Sequence, residues 1–215
     1  MLVYAYKYLV QADEHLLSSL LSLFSHCAIK VCEGQQLDMN FETKDELTLK
    51  EYLHMIEMKT ATLIASTLKM GALIGQASQE DAENMYHFGL ELGISFQLKD
   101  DWLDSFGNIE KLGKQPGGDI IQNKKTWLLI EALNRGDVNS RKKLMDLYSI
   151  RPTDPSEKVK EVQMIFRALG VDQEALSEVR VHFNSAMEFL NALSLPSERK
   201  NSMKKLAEDL IDRDY

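Results

Sequence analysis

The sequence predicts an all-α fold, and three observations support this prediction. Apolar residues recur at the spacing of amphipathic helices along nearly the whole chain of 215 residues, strand-like alternation is absent, and only four prolines interrupt the chain. The predicted helices cover residues 2–10, 13–34, 48–75, 79–106, 123–134, 138–149, 155–169, 172–193 and 197–212. Loops are expected at 34–44, 107–122 and 151–155.

Composition is typical of an ordinary globular protein. The chain is 44% hydrophobic and 27% charged, and its length suits one well-cored domain over residues 1–215 rather than two. A net charge of -8 argues against nonspecific binding to nucleic acid. Two cysteines without metal-finger spacing indicate a reducing, cytoplasmic location. No signal peptide is recognisable, and the apolar stretch 16–29 is too short and too rich in serine to predict a transmembrane segment.

The first predicted helix has no visible start signal. Residues 1–6 are already in apolar helical register, and no Ser, Thr, Asp or Asn precedes them as a cap. We therefore expect that structure upstream of this chain is missing. A frayed terminal helix is the simpler alternative.

The long helix predicted over residues 48–75 combines small residues with a central lysine. Its small residues, among them Ala61 and Ala65, permit close contact with another helix. Lys59 lies in the middle of this helix, where its ammonium group can reach toward a cavity. A surface lysine lying along the helix flank is an equally acceptable interpretation of Lys59 alone.

The helix predicted over residues 79–106 contains the most informative motif, D-D-x-x-D. Asp100 and Asp104 lie one above the other at helical spacing, Asp101 lies at the edge of that face, and Gln97 precedes them by one turn. Converging carboxylates repel one another unless a hard cation neutralises them, and oxygen ligands of this kind suit Mg²⁺. A solvated acidic helix end is the plainer reading of so short a pattern.

Glycines and lysines follow the acidic motif in the loop predicted at 107–122. Lys114 lies among glycines, and Lys124 and Lys125 begin the next helix. Lysines and helix N-termini both favour anions. An acidic protein with a local lysine cluster beside a metal site is suited to binding polyphosphate.

Four segments in this order resemble the trans-isoprenyl diphosphate synthase family, also called the polyprenyl synthetases. Residues 32–39 resemble its G-Q-x-x-D segment, and residues 52–61 resemble its Y-x-x-M-x-x-x-K-T-A helix. Residues 96–104 resemble the second of its two aspartate-rich motifs, and residues 112–126 resemble its lysine loop. The resemblance implies a prenyl synthase helical bundle around a central cavity.

The resemblance also implies roles for particular residues. Asp100, Asp101 and Asp104 would hold Mg²⁺ against an allylic diphosphate. The remaining implied substrate-binding residues are Lys59, Lys114 and Lys124 at the diphosphate, Thr60 and Gln97 beside the reacting prenyl chain, and Phe96 along the prenyl tunnel. Such a protein ionises the allylic diphosphate, joins its carbocation to isopentenyl diphosphate and then loses a proton. Lys59, Asp100 and Lys114 are the implied catalytic residues, and a homodimer is the implied assembly.

One feature departs from the family pattern. The family's first aspartate-rich motif precedes the G-Q segment, yet only Asp13 occurs before Gly34 in this chain. This absence predicts a partial synthase that has little activity alone. A noncatalytic regulatory subunit of a heteromeric synthase is the first alternative, and an α-helical scaffold with solvated acids is the second.

Overall fold

The fold consists of helices packed around one long central helix. The computed structural model describes residues 2–107 and 117–213, and no strand occurs in these two ranges. The helices are α1 Leu2–Leu9, α2 Glu14–Thr43, α3 Leu49–Ile56, α4 Thr62–Ile74, α5 Gln79–Phe106, α6 Gly118–Ile121, α7 Trp127–Arg135, α8 Val138–Ser149, α9 Ser156–Ala168, α10 Val171–Ala192 and α11 Ser197–Ile211. The prediction of an all-α protein is confirmed.

The central helix α5 carries buried residues on all sides, as expected for a helix surrounded by others. Helix α4 and the residue before it, Ala61, pack against one flank, where glycines of α5 permit close contact. A Cβ atom at Gly93 would lie 2.6 Å from the Cα of Ala61, and one at Gly89 would lie 2.7 Å from the Cα of Ala65. The predicted role of the small residues is therefore confirmed at these two contacts.

Helix α10 packs along another side of α5. The hydroxyl of Ser95 donates a hydrogen bond to the carbonyl oxygen of Val179 at 2.8 Å. The indole N–H of Trp102 donates to the carbonyl oxygen of Asp172 at 3.1 Å. A contiguous hydrophobic cluster extends from Phe41 in α2 to Ile211 in α11.

The predicted loop at 34–44 is wrong, because α2 continues through it to Thr43. We expected Gly34 to end the helix, but a tight helix contact is what requires a glycine at this position. A Cβ atom there would lie 2.5 Å from the backbone nitrogen of Lys59 and 2.8 Å from the Cβ of Met58. Gly34 therefore marks the contact between α2 and the segment that carries Lys59.

The predicted single helix over 48–75 is interrupted by a π-helical turn, Glu57–Ala61. Its start is as expected, since Thr48 and Glu51 form a reciprocal capping box. The turn contains Lys59 and Thr60 and contacts both α2 and α5. Single π turns inside α-helices are frequent at functional sites, and the periodicity of the sequence gives no warning of them.

The extension of α2 also changes the membrane prediction. At about 1.5 Å per residue its 30 residues span about 45 Å. By length and composition α2 could cross a membrane, and 11% of its most apolar stretch is buried within the protein. Helices of soluble proteins pass the same test. Within the protein α2 packs against α3, α4 and the π turn.

Candidate active site

A cavity of about 690 Å³ opens between the C-terminal part of α2, the α3–π turn segment, α5 and the segment from α6 to α8. Apolar side chains form much of its interior, including Phe41, Met55, Leu129, Leu144 and Tyr148. Charged side chains share the lining, namely the acids Asp38, Glu42, Asp45, Asp101 and Asp119 and the cations Lys59, Lys124, Lys125 and Arg151. The cavity thus combines an apolar interior with clustered charge.

A chain of hydrogen bonds crosses one side of the cavity between the π turn and α5. The hydroxyl of Thr60 donates to Oε1 of Gln97 at 3.0 Å, and Nε2 of Gln97 donates to Oδ1 of Asp101 at 3.1 Å. The hydroxyl of Tyr52 donates to Oδ2 of Asp101. Both oxygens of the Asp101 carboxylate therefore have partners, and the predicted residues Thr60, Gln97 and Asp101 lie together.

Asp101 is buried rather than solvated, with 5% of its surface exposed. Burial raises the pKa of its carboxyl group to about 7, and the charges of Asp119 and Asp100 act in the same direction. The hydrogen bonds from Tyr52 and Gln97 oppose that rise in pKa. Burial, followed by the adjacent Asp101 charge, raises the pKa of Tyr52 above its usual range. The interpretation of solvated acids therefore does not describe Asp101.

The buried Asp101 predicts a pH-dependent stability in metal-free buffer. Folding raises the pKa of Asp101 from 3.8 to about 7. The contribution of Asp101 to the stability of the folded state is therefore fully present below pH 4 and is lost as the pH rises through 7. Asp101→Asn removes the ionisation, so the variant is expected to gain up to about 4 kcal/mol relative to the parent above pH 7. Thermal unfolding between pH 4 and 8 in EDTA measures this difference.

The matched control is Asp146→Asn, which changes an exposed carboxylate on α8. This variant should follow the pH dependence of the parent. If Asp101→Asn also runs parallel to the parent across the whole range, the assigned ionisation of Asp101 is wrong.

Two predicted lysines line the cavity, each beside a carboxylate. Nζ of Lys59 lies 2.6 Å from Oδ2 of Asp38, and Nζ of Lys124 lies 2.7 Å from Oδ1 of Asp119. The hydrogen bond to Asp119 raises the pKa of Lys124. Of the two interpretations of Lys59, a lysine that reaches a cavity and a lysine along the helix flank, the structure shows the first, since its side chain lines the cavity. Predicted Lys114 lies outside the described residues.

Lys125 has a different role from the one that its sequence position suggested. Its Nζ donates to the carbonyl oxygens of Phe41 at 3.0 Å, Glu42 at 3.4 Å and Lys44. Burial lowers its pKa. Cations favour the C-terminal end of a helix, where carbonyl groups lack helical partners. Lys125 therefore caps the end of α2.

Asp104 holds the start of α6. Its Oδ2 accepts a hydrogen bond from the backbone N–H of Asp119 at 2.7 Å, and its carbonyl oxygen accepts one from the N–H of Gly117. Gly117 has a φ of 98°, a conformation that favours glycine. Asp104 thus connects the end of α5 to the segment that carries Asp119 and Lys124.

Phe96 and Asp100 contact the C-terminal segment of the chain. Nη2 of Arg213 pairs with Oδ1 of Asp100, and the Arg213 guanidinium lies 4.0 Å from the centre of the Phe96 ring. Of the predicted α5 residues, Gln97 and Asp101 line the cavity, whereas Phe96, Asp100 and Asp104 are outside its described lining. Among the described residues, Asp100 contacts Arg213 and Asp104 contacts the backbone N–H of Asp119.

The chemistry of the acidic residues fits Mg²⁺. No group of three acidic, His or Cys side chains suited to holding a metal occurs among the residues that the structure describes. Mg²⁺ does not require one, because it usually binds one or two protein carboxylates and completes its octahedron with water and substrate oxygens. The cavity lining includes two carboxylates, Asp101 on α5 and Asp119 on α6.

Four residues of this region received no individual role from the sequence. Asp38 lies in the G-Q-x-x-D segment, Tyr52 begins the Y-x-x-M helix and Asp119 lies in the lysine loop, so the motifs themselves contained a signal. Arg213 belongs to no motif, and only its contacts in the folded chain reveal it.

Comparison with known proteins places this helical bundle and its charged cavity among the prenyl synthases. The polyprenyl synthetase family model matches residues 1–167. The chain belongs to the polyprenyl synthetase family.

Named relatives agree with this family membership. The chain is 32% identical over 203 residues to a short chain isoprenyl diphosphate synthase of Methanothermobacter thermautotrophicus, covering 94% of this chain and 61% of the relative. It is 44% identical over 116 residues to a geranylgeranyl diphosphate synthase of Methanosarcina mazei, covering 54% of this chain and 36% of the relative. The chain therefore spans about 60% of the length of relatives that it matches nearly throughout.

Solved structures agree in fold. A geranylgeranyl pyrophosphate synthase crystal structure matches with a TM-score of 0.93 and 33% identity, covering 100% of this chain and 66% of that one. The geranylgeranyl pyrophosphate synthetase of Pyrococcus horikoshii matches with a TM-score of 0.89 and 26% identity, covering 97% and 63%. The predicted prenyl synthase bundle is confirmed.

Proposed function

We propose that this chain provides the diphosphate-binding part of a prenyltransferase. The reaction joins an allylic diphosphate to isopentenyl diphosphate by ionisation, alkylation and proton loss. One observation carries the proposal: Lys59 and Lys124 line the same cavity as the hydrogen-bonded series Thr60, Gln97 and Asp101. The relatives named above are isoprenyl and geranylgeranyl diphosphate synthases, and their names support this substrate class.

The lysines perform the electrostatic part of the reaction. Each now contacts a carboxylate, Asp38 or Asp119, so each is held as a cation at the cavity wall. A bound diphosphate would exchange these partners for its own oxygens. Negative charge grows on the departing diphosphate as the carbon–oxygen bond breaks, and fixed cations stabilise it without rearrangement.

The other cavity residues stabilise the carbocation and protect it from water. The carbonyl oxygen of Gln97 and the hydroxyl of Thr60 are neutral dipoles, whose partial negative charges stabilise a nearby cation. The apolar side chains of the interior exclude water, which would otherwise add to the carbocation. The proton is lost after alkylation, to the departed diphosphate in this proposal, so the chain needs no nucleophile.

Mg²⁺ is the proposed cofactor. Asp100, Asp101 and Asp104 are its proposed ligands on α5, with the carboxylate of Asp119 nearby. When bound, the metal neutralises diphosphate charge and so favours ionisation. Because Asp100 and Asp104 have other partners in the described structure, their binding of metal requires exchange of those contacts.

The test is a prenyl-transfer assay with radiolabelled isopentenyl diphosphate, Mg²⁺ and allylic primers. It is run on this chain and on a fusion that adds the part of the Methanothermobacter relative which this chain does not span. Product formation that is lost in Asp101→Ala supports the proposal. A folded fusion with no activity, beside an active full-length relative, contradicts it.

The regulatory-subunit alternative gains no support, since the named relatives are synthases.

We propose a single domain over residues 1–215, because one hydrophobic cluster joins α2 to α11. Cytoplasmic location remains a prediction from cysteine usage. Cys27 and Cys32 are both free thiols in the structure.

We further propose that two copies associate through the exposed side of α1 and α2. Both helices expose large apolar side chains: Tyr4 and Tyr8, one turn apart on α1, are 65% and 67% exposed, and Ile29 on α2 is 56% exposed. Exposed apolar clusters of this kind mark interaction sites. Because the family resemblance implies a homodimer, the proposed partner is a second copy of this chain.

Ile29→Glu should convert the dimer to a monomer, because a carboxylate would be buried in an apolar contact. Light scattering coupled to size-exclusion chromatography measures the mass. Ile150→Glu, at an exposed position beyond α8, is the control and should remain dimeric. A parent chain that is monomeric at tens of micromolar concentration contradicts the proposal, as does a chain that associates only with liposomes.

A further inference from the structure

Arg213 links the C-terminal segment to the first aspartate of the acidic motif. It follows α11, and its Nη2 pairs with Oδ1 of Asp100 and lies 3.5 Å from the carbonyl oxygen of Phe96. The guanidinium also lies over the Phe96 ring, 4.0 Å from its centre. Its side chain is 18% exposed, whereas that of Asp100 is 42% exposed.

The contact uses features that are specific to arginine. Phe96 and Asp100 are four residues apart on α5 and therefore adjacent on one helix face. A guanidinium can stack on an aromatic ring and pair with a carboxylate at the same time, whereas an ammonium group lacks the flat surface. The contact is also incomplete, since Nε of Arg213 is buried and has no hydrogen-bond partner among the residues that the structure describes. A buried donor without a partner is unfavourable.

We propose that Arg213 is an internal counter-ion of Asp100, which a divalent metal must displace before Asp100 can act as its ligand. Oδ1 of Asp100 contacts the guanidinium, and two cations at one carboxylate oxygen repel each other. The C-terminal segment thereby sets the metal affinity of the acidic motif. The inference rests on the proposed role of Asp100 in metal binding and adds its regulation.

Manganese binding to the intact chain tests the inference without enzyme activity. Mn²⁺ alone is titrated, and the free ion is followed by electron paramagnetic resonance. Arg213→Ala removes a competing cation and should bind Mn²⁺ about two- to fivefold more tightly, as expected for a partly exposed ion pair. Arg213→Lys keeps the charge but loses the stacked plane, so its affinity should lie between those of the parent and Arg213→Ala.

The control is Arg135→Ala, which removes an arginine paired with Glu131 at 2.5 Å and with Glu174 at 3.2 Å. Its Mn²⁺ affinity should equal that of the parent. Unchanged or weaker binding by folded Arg213→Ala overturns the inference. If Arg213→Ala does not fold, the Mn²⁺ affinity of Arg213→Lys is compared with that of the parent instead. Unchanged or weaker binding by folded Arg213→Lys then overturns the inference. Absence of Mn²⁺ binding in every variant also overturns it.

Asp100→Asn separates this inference from the proposed function. Loss of Mn²⁺ binding in Asp100→Asn without tighter binding in Arg213→Ala removes only the role of Arg213. Unchanged binding in Asp100→Asn shows that Asp100 is not a ligand. The metal assignment within the proposed function then fails together with the inference.

Discussion

Gly34→Ala is expected to destabilise the protein by about 3 kcal/mol, near the upper end of the usual cost of overpacking. The new methyl group would lie 2.5 Å from the backbone nitrogen of Lys59 and 2.9 Å from its Cα. Backbone atoms inside two packed helices cannot move aside as the end of a flexible side chain can. The contact between α2 and the π turn must therefore open. Chemical denaturation with both parent and variant measures the change in the free energy of unfolding.

Gly71→Ala is the matched control, because it makes the same substitution inside helix α4. In the part of the chain that the structure describes, nothing outside the surrounding turns of its own helix lies within 4 Å of a Cβ at Gly71, so this variant should gain about 0.5 to 1 kcal/mol from helix propensity. The pair thus predicts opposite signs for one chemical change. Equal effects of the two substitutions would contradict the close contact at Gly34.

Lys59→Ala is expected to reduce prenyl transfer by about 10²- to 10³-fold, the range found when one preorganised charge-stabilising group is removed. Its ammonium group lies at the cavity, where charge develops on the departing diphosphate in the proposed reaction. The assay is the prenyl-transfer assay described above, run on an active fusion. Binding of pyrophosphate with Mg²⁺, measured by calorimetry on the chain itself, should weaken as well.

Lys69→Ala is the control for this prediction. Lys69 pairs with Glu83 at 2.6 Å, the same distance that separates Lys59 from Asp38, but it does not line the described cavity. This variant removes an equivalent ion pair and should retain activity within a factor of two or so, since such pairs contribute about 1 kcal/mol or less. An equal loss in both variants would show that Lys59 acts through stability alone.

Secondary structure was largely predictable because helical periodicity records which side of each element is buried. The structure confirms the starts of α3 and α5, where Thr48 and Ser78 accept hydrogen bonds from the backbone N–H groups of Glu51 and Asp81. Two bounds were wrong around the lysine loop, since the loop predicted at 107–122 contains helix α6 and the helix predicted from residue 123 begins at Trp127. The largest error falls where a tertiary contact overrides a local signal. Gly34 resembles a helix end in sequence, yet α2 passes through it because the π turn packs against it.

The candidate site was predictable as a set of residue types but not as a geometry. Spacing placed Gln97 and Asp101 on neighbouring turns, and the structure joins them by a hydrogen bond at 3.1 Å. Spacing also predicted that Asp100 and Asp104 bind a single cation, and this stays a prediction. The structure adds contacts that spacing could not reveal, from Asp100 to Arg213 and from Asp104 to the N–H of Asp119. Lys125 could not be distinguished from Lys124 by sequence, because their different surroundings come from other helices.

The sequence by itself determined the all-α class, the order of the motifs and the residue types of the candidate site, because periodicity and spacing are properties of the chain. Only the tertiary structure decided which partners those residues have. Asp101 is buried against Tyr52, Lys59 pairs with Asp38 across 21 positions, and Arg213 reaches Asp100 across 113. Contacts between residues so far apart depend on how the helices pack against one another, and the local sequence pattern does not predict that packing.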